Sequence, residues 1–313
     1  MKTIPIAFAF DNNLVFPACI CISSLLMNAN VDTFYDIFIL HSKNEKLDKV
    51  LLDKVPEYFP NCKIQYRIVD DTFDTSFEIR GITTPAYYRL LIPEIIHEYD
   101  KIIYSDVDII FRMDLSELYD QDINLFYLAA TRDLGLNFDE DGIKYIHSID
   151  GLVEEQYLQS GFIVLNSKKM REDDLISHFR KFAHRRLKFQ DQDILNLSCI
   201  GKVKYLPLKY NMTDYSYYYI NKSPEKISHL YNKKEMKEAL ESGNIHFNGH
   251  KPWKKYSVNF DIWWEYYRKS PFFNEKFYFD FFYDRLNELD QLSLWKRIKI
   301  LIRYFVYGRR REV

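Results

Sequence analysis

Strand-length apolar runs recur along this chain with helix-length segments between them, and that alternation leaves few architectures open. Residues 4–10 (IPIAFAF) form an apolar run followed by turn-forming Asp11, Asn12 and Asn13, then by a segment that reads as a helix from Pro17 to about residue 28. Residues 35–40 (YDIFIL) predict a second strand, 45–55 a helix and 63–69 (KIQYRIV) a third strand. A helix over 85–96 then leads into 101–104 (KIIY), a short buried strand that stops just before Asp106. Alternation of this kind predicts an α/β fold with a mainly parallel central sheet and helices on both faces. Ligands bind such sheets beyond the carboxyl ends of the strands, where Asp11 and Asp106 fall.

Further along, 125–131 and 162–166 read as strands, with a polar loop and helix to about residue 158 between them. A long helix over 168–187 and a shorter one over 190–199 follow. Residues 210–234, rich in Tyr, Asn and Ser, show little periodicity and predict a long connection suited to a lid or an acceptor-binding loop. Hydrophobic residues make up 47% of the chain and glycines number nine, which excludes low-complexity and glycine-repeat classes. Cys19, Cys21, Cys62 and Cys199 form neither a CxxC pair nor a secreted disulfide framework. The apolar stretch over 14–27 is too short to span a bilayer and follows a strand rather than a signal-peptide n-region. Both features predict reduced thiols in a cytoplasmic protein.

Chemistry concentrates at two places. In Asp106-Val107-Asp108, alternate residues after a buried strand turn two carboxylates toward one hard cation that also grips a diphosphate. In residues 245–253 (IHFNGHKPW), His246 offers an imidazole to the same cation, Gly249 lets backbone approach a ligand closely, and Lys251 offers a point charge to phosphate. Asp-x-Asp alone usually decorates a loop, and a single His is more often structural. The strand before the first and the clustering of His, Gly and Lys in the second favour function.

With these residues in view the chain resembles the family-8 retaining glycosyltransferases, the group of the lipopolysaccharide galactosyl- and glucosyltransferases and glycogenin. The resemblance covers about residues 4–253: the opening AFAFDNN, the helix PAYYRLLIPEI, the metal strand KIIYSDVDII, the QDQDILN helix and the closing H-x-x-G followed by KPW. It implies a GT-A fold over residues 1–255, a UDP-galactose or UDP-glucose donor, Mn²⁺ or Mg²⁺, and transfer of the hexose to a saccharide or lipid-linked glycan. Matched by motif, the resemblance makes Asp106, Asp108 and His246 the metal ligands and puts Gly249 and Lys251 on the diphosphate. It places Ala9, Asp11 and Asn13 around uracil and ribose, and Arg89 and Val107 beside the donor. Asp133 corresponds to the acid that binds sugar hydroxyls, Gln159, Ser160 and Gly161 to a donor-sugar contact, and Asp191 and Gln192 to the contacts nearest the reacting carbon. Taken alone, Arg89 reads as a surface helix charge and Asp191 as a helix N-cap.

Three departures bear on specificity. Leu14 stands where many members carry an aromatic over the base, so stacking is weaker or comes from elsewhere. Gln159-Ser160-Gly161 replaces the usual Asn-(Ala/Ser)-Gly, and the closing motif is one residue shorter between Gly249 and Lys251. A catalytically silent sugar-nucleotide-binding protein and an inverting GT-A transferase are the alternatives to a retaining enzyme.

Residues 256–313 read as a helical, basic and aromatic extension. From 292 onward Leu294, Trp295, Ile298, Leu301, Ile302 and Phe305 share one helical arc, beside Lys296, Lys299 and Arg303 and ahead of Arg309, Arg310 and Arg311. Such a helix suits an anionic membrane surface, here the inner face of the cytoplasmic membrane. A helix docked on its own domain is the plainer alternative. No nucleic-acid-binding motif accompanies the basic residues.

Overall fold

A computed structural model of the protein describes residues 1–70 and 84–307. Seven strands form the central sheet: β1 (Lys2–Ala9), β2 (Thr33–Ser42), β3 (Cys62–Val69), β4 (Ile102–Ser105), β6 (Leu128–Arg132), β7 (Leu158–Leu165) and β8 (Val203–Tyr205), in the order β3-β2-β1-β4-β7-β6-β8. The first four in that order run parallel, β7 runs antiparallel to both β4 and β6, and β8 is parallel to β6. The expected mainly parallel sheet is therefore present, with one strand reversed. A separate two-stranded ribbon pairs β5 (Ile109–Ile110) with β9 (Ile245–His246).

β1 shows why this sheet has helices on both faces. Ile4, Ile6 and Phe8 point into one core with Ala18, Cys21 and Leu25 of α1 (Val15–Met27), while Ala7 points into a second core on the other side. A strand buried on both faces reads as an unbroken apolar run, as residues 4–10 do. Pro17 lies in the first turn of α1, where its missing N–H costs nothing.

Several expected helices take other forms. Over 45–55 only a 3₁₀ turn (Leu52–Lys54) and α2 (Val55–Tyr58) are helical, because Asn12 pins the segment before them. Its Nδ2 donates to the Lys46 carbonyl at 2.7 Å and its Oδ1 accepts from the Asp48 N–H at 2.7 Å. Residues 85–96 divide into a 3₁₀ helix (Thr84–Leu91) and α3 (Ile92–Ile95), with Pro93 in the first turn of the latter. After α4 (Ser116–Asp120), α5 (Leu134–Phe138) and α6 (Glu140–His147), the single helix expected over 168–187 appears as α7 (Ser167–Glu172) and α8 (Leu175–Ala183). Asp174 separates them with a left-handed φ of 48°. The helix at 190–199 is present as α9 (Gln190–Ser198).

The segment over 210–234 is no structureless connection. It contains α10 (Asp214–Lys222) and α11 (Pro224–Ile227) and leads into α12 (Lys233–Ser242), with Tyr219, Ile227 and Tyr231 buried against Leu134 and Met236. A capping box between Thr213 and Ser216 starts α10. Three helices close the chain: α13 (Phe260–Lys269), α14 (Glu275–Asp290) and α15 (Leu294–Tyr307). Trp263, Trp264 and Tyr267 of α13 pack with Ile20, Ile110, Ile245 and Trp253, so this helix shares a core with the body. On α15, by contrast, Leu294, Trp295, Leu301 and Ile302 are 72, 80, 55 and 55% exposed. Arg309, Arg310 and Arg311 lie outside the described residues.

Candidate functional site

The site sits at the carboxyl ends of β1 and β4, and the small ribbon completes it. Asp106 follows β4 directly, and pairing of Ile109 with His246 draws β9 alongside the next turn of chain, where the Phe247 N–H donates to the Asp108 carbonyl at 2.9 Å. Ligand atoms of Asp106, Asp108 and His246 consequently lie within 4.8 Å of one another. Nε2 of His246 is 3.2 Å from Asp108 Oδ1 and 3.8 Å from Asp106 Oδ2. Asp108 Oδ1 is buried without a hydrogen bond, and an orphaned carboxylate oxygen facing an imidazole suits a shared cation. Gly161 leaves the room: a Cβ there would collide with His246 Cε1 and come within 2.7 Å of Asp106 Oδ2. The three side chains thus fit a divalent cation.

Charge around the triad is balanced by two cations. Burial would raise the Asp108 carboxyl, but Lys251 and His246 beside it hold it well below the usual carboxylate range. Lys251 Nζ is 2.5 Å from Asp108 Oδ2 and 2.6 Å from the Phe247 carbonyl. Arg89 is buried, not the surface charge its helix position alone suggests. Its Nη2 donates to Asp106 Oδ1 at 2.9 Å, its Nη1 to the Ser160 carbonyl at 2.7 Å, and its Nε lies 3.2 Å from Asp191 Oδ2. The guanidinium stacks on the Tyr104 ring, 4.4 Å from its centroid.

Beyond Arg89 a buried network runs through the reversed strand. Ser160 Oγ donates to Asp191 Oδ2 at 3.1 Å and its N–H to Gln192 Oε1 at 3.0 Å, while Gln192 Nε2 donates to Asp133 Oδ2 at 3.0 Å. Asp191 is therefore no N-cap: α9 starts from Phe189 without a side-chain cap, and the carboxylate faces Arg89 and Ser160. Burial pushes the Asp191 carboxyl up to about 6, opposed by Arg89 and assisted by the Asp106 charge. Asp133 is raised by burial too, although the Leu136 N–H and Gln192 oppose the shift.

Two clefts meet at the triad and share Ala86, Arg89, Asp106, Asp108, Asn248 and Lys251. One, about 370 Å³, is bounded by Ala9, Asp11, Leu14, Val107, Gly249 and Trp253. The other, about 330 Å³, is bounded by Asp133, Gln159, Ser160, Asp191, Gln192 and His246, with Lys188 and Phe189 at its edge. The fold thus brings together every residue singled out from the sequence except Asn13, which is exposed beside the first cleft and donates its N–H to Asp11 Oδ1 at 2.9 Å. Residues that sequence reasoning passed over are Trp253, Asn248, Lys188, Phe189 and Asn211. Trp253 was legible as part of KPW but reads there as a packed turn. Asn211 carries no local signal, since its neighbours come from three distant segments.

Comparison with known proteins agrees with this architecture. The galactosyltransferase LgtC, solved in complex with donor and acceptor sugar analogues, superposes with a TM-score of 0.71 at 23% identity over 87% of this chain and 98% of its own. The fold is GT-A. The profile of glycosyl transferase family 8 matches residues 5–257, and the chain belongs to that family of glycosyltransferases. A lipopolysaccharide 1,2-glucosyltransferase of Escherichia coli is 26% identical over 286 residues, 87% of this chain and 80% of that protein. A Haemophilus influenzae relative is 28% identical over 218 residues, and the match spans 68% of this chain and 64% of that protein.

Proposed function

We propose that this protein transfers a hexose from UDP-galactose or UDP-glucose, with retention of configuration, to a saccharide or lipid-linked acceptor such as a lipopolysaccharide or another cell-surface glycan. The observation that carries the reading is the Asp106–Asp108–His246 triad at the junction of two clefts, one shaped for a nucleotide and one lined with hydroxyl-binding groups. Support also comes from the family and from the names its relatives carry.

Mn²⁺, or Mg²⁺, held by Asp106, Asp108 and His246 would neutralise charge on the departing diphosphate. The protein's own groups do the rest. Ala9 and Asp11 border the base and ribose side, with Leu14 and Trp253 as the apolar wall, so Trp253 is the aromatic available where Leu14 is not. Lys251, within reach of Asp108, adds positive charge beside the phosphates, and Arg89 holds Asp106 in place. Gln192, fixed from both sides by Ser160 and Asp133, presents an amide next to the sugar cleft, and an amide is a poor nucleophile. Asp193 is withdrawn from the cleft by two tyrosine hydroxyls, Tyr145 and Tyr157, each at 2.5 Å. With Asp191 paired to Arg89 and Ser160 and Asp133 held by Gln192 and the Leu136 N–H, the same-face route is favoured: the acceptor hydroxyl approaches from the leaving-group face and the departing phosphate oxygen takes its proton. A hollow of about 330 Å³ next to Asp133, edged by Phe189 and Tyr215, offers a route for that acceptor.

The test is UDP release from a panel of UDP-sugars with Mn²⁺, alongside Asp108→Ala. Release from one donor, lost by at least a hundredfold in the variant, is the expected result. Release that persists in Asp108→Ala, or an inverted anomer in the product, would refute the reading. A covalent sugar trapped on Asp191 would refute the same-face route.

A further inference from the structure

Asn211, just beyond the 3₁₀ turn Leu208–Tyr210, is 1% exposed and has both halves of its carboxamide in use. Its Oδ1 lies 2.9 Å from His246 Nδ1, and its Nδ2 donates to Gln159 Oε1 at 2.7 Å. Gln159 Oε1 also accepts the backbone N–H of Gly161 at 2.8 Å. That last bond fixes the direction of the whole chain. A backbone N–H is a donor whatever the side chains do, so the Gln159 atom facing it is the oxygen. The Asn211 atom facing that oxygen is then the NH₂ group, and the atom facing His246 is Oδ1. An amide oxygen only accepts, so the proton in the Asn211–His246 bond belongs to Nδ1.

Two consequences reach the site. In the neutral imidazole that a metal takes up, a proton held on Nδ1 leaves the lone pair on Nε2, the nitrogen turned toward Asp106 and Asp108. With both lone pairs of Gln159 Oε1 engaged, what Gln159 has left for the cleft it lines is its NH₂ group, a donor.

We propose that Asn211 is a positioning residue for both halves of the reaction centre: it orients His246 as a ligand for a divalent cation, and it turns the Gln159 NH₂ toward the oxygens of the donor sugar or phosphate. Partners of this kind behind a ligating histidine typically change metal affinity about 10- to 100-fold when lost. The proposal rests on the metal-dependent reading above and adds a residue that touches neither metal nor substrate.

Two variants separate its two duties. Asn211→Asp keeps an acceptor for His246 Nδ1 and loses the donor to Gln159, whereas Asn211→Leu, of similar size, loses both. Mn²⁺ binding in the presence of UDP, read from the free-ion EPR signal, should be retained within about threefold in Asn211→Asp and weakened about tenfold or more in Asn211→Leu. Binding of the reacting UDP-sugar, measured by calorimetry at saturating Mn²⁺, should weaken in Asn211→Asp although its metal affinity is intact. A merely structural Asn211 would lower the melting temperature and leave both affinities alone, and that result overturns the proposal. So does Asn211→Asp binding metal as weakly as Asn211→Leu. If Asn211→Leu does not fold, Asn211→Asp decides alone: unchanged sugar-nucleotide affinity overturns the proposal. Should the unsubstituted protein bind no Mn²⁺, the metal-dependent reading falls and takes the role of Asn211 with it.

Discussion

Asp191 shows how a single residue can be set against the stability of the fold that holds it. Its carboxyl titrates near 6 in the folded protein against an ordinary value of 3.8, because burial outweighs its contact with Arg89. A folded-state value above the unfolded one means the native protein takes up the proton more readily than the unfolded chain. The stability linked to this group is therefore full below about pH 4 and lost as pH rises through 6. Asp191→Asn should raise the melting temperature at pH 8, by an amount equivalent to about 3 kcal/mol at most, and leave it nearly unchanged at pH 4. An equal shift at both pH values would refute this. Gly161→Ala has the opposite character, since the added methyl meets His246 and Asp106 directly. We expect it to abolish Mn²⁺ binding in calorimetry while the circular dichroism spectrum stays native. The site residues carried by motifs were readable in the sequence because each motif is local. Asn211 was not, because its meaning lies in Gln159, Gly161 and His246, which chain topology alone brings together.

Among the elements, those whose pattern is set by burial were legible and those set by a single tertiary bond were not. The strands at 4–10 and 35–40 appear within a few residues of their expected limits because short apolar runs bounded by turn residues suit strands covered on both faces, and the one at 63–69 does so because its partial alternation suits a half-exposed edge strand. The helix expected at 45–55 is cut back to its last few residues because Asn12, more than thirty residues earlier, claims the Lys46 carbonyl and the Asp48 N–H. The helices within 210–234 escaped notice because their tyrosines are apolar in the ring and polar at the tip, which blurs the 3.6-residue period. Aromatic packing also carries the C-terminal helices. Trp264 is 1% exposed, meets Phe281 at 4.6 Å between ring centroids and donates its indole N–H to the Pro252 carbonyl at 3.2 Å. Trp264→Ala should cost about 3–5 kcal/mol in urea unfolding. Because Pro252 precedes Trp253, donor affinity should fall with it, and a normal donor KM in the folded variant would refute that link.

For the whole molecule the question is where it works. No helix among the described residues is long and apolar enough to cross a membrane, yet α15 presents Leu294, Trp295, Leu301 and Ile302 to solvent beside Lys296 and Lys299. We propose that this helix lies on an anionic lipid surface, at the inner face of the cytoplasmic membrane where a lipid-linked acceptor is found. Deletion of residues 292–313 should abolish co-sedimentation with vesicles containing anionic lipid and leave UDP release from a soluble acceptor within about twofold. Undiminished co-sedimentation would exclude the tail as the anchor.

The reversed strand has a consequence for how such a protein changes over time. Parallel strands deliver their last residues, and the loops after them, to the ligand, so altering preference there means altering loops. β7 delivers Gln159, Ser160 and Gly161 near its start, and the rest of the strand locks them into the sheet through Phe162–Leu165 against β4. On the proposed reading, substitutions at 159 and 160 would change the groups offered to the donor sugar while the strand behind them stays paired to β4, which makes this strand the place we would alter first to exchange one hexose for another.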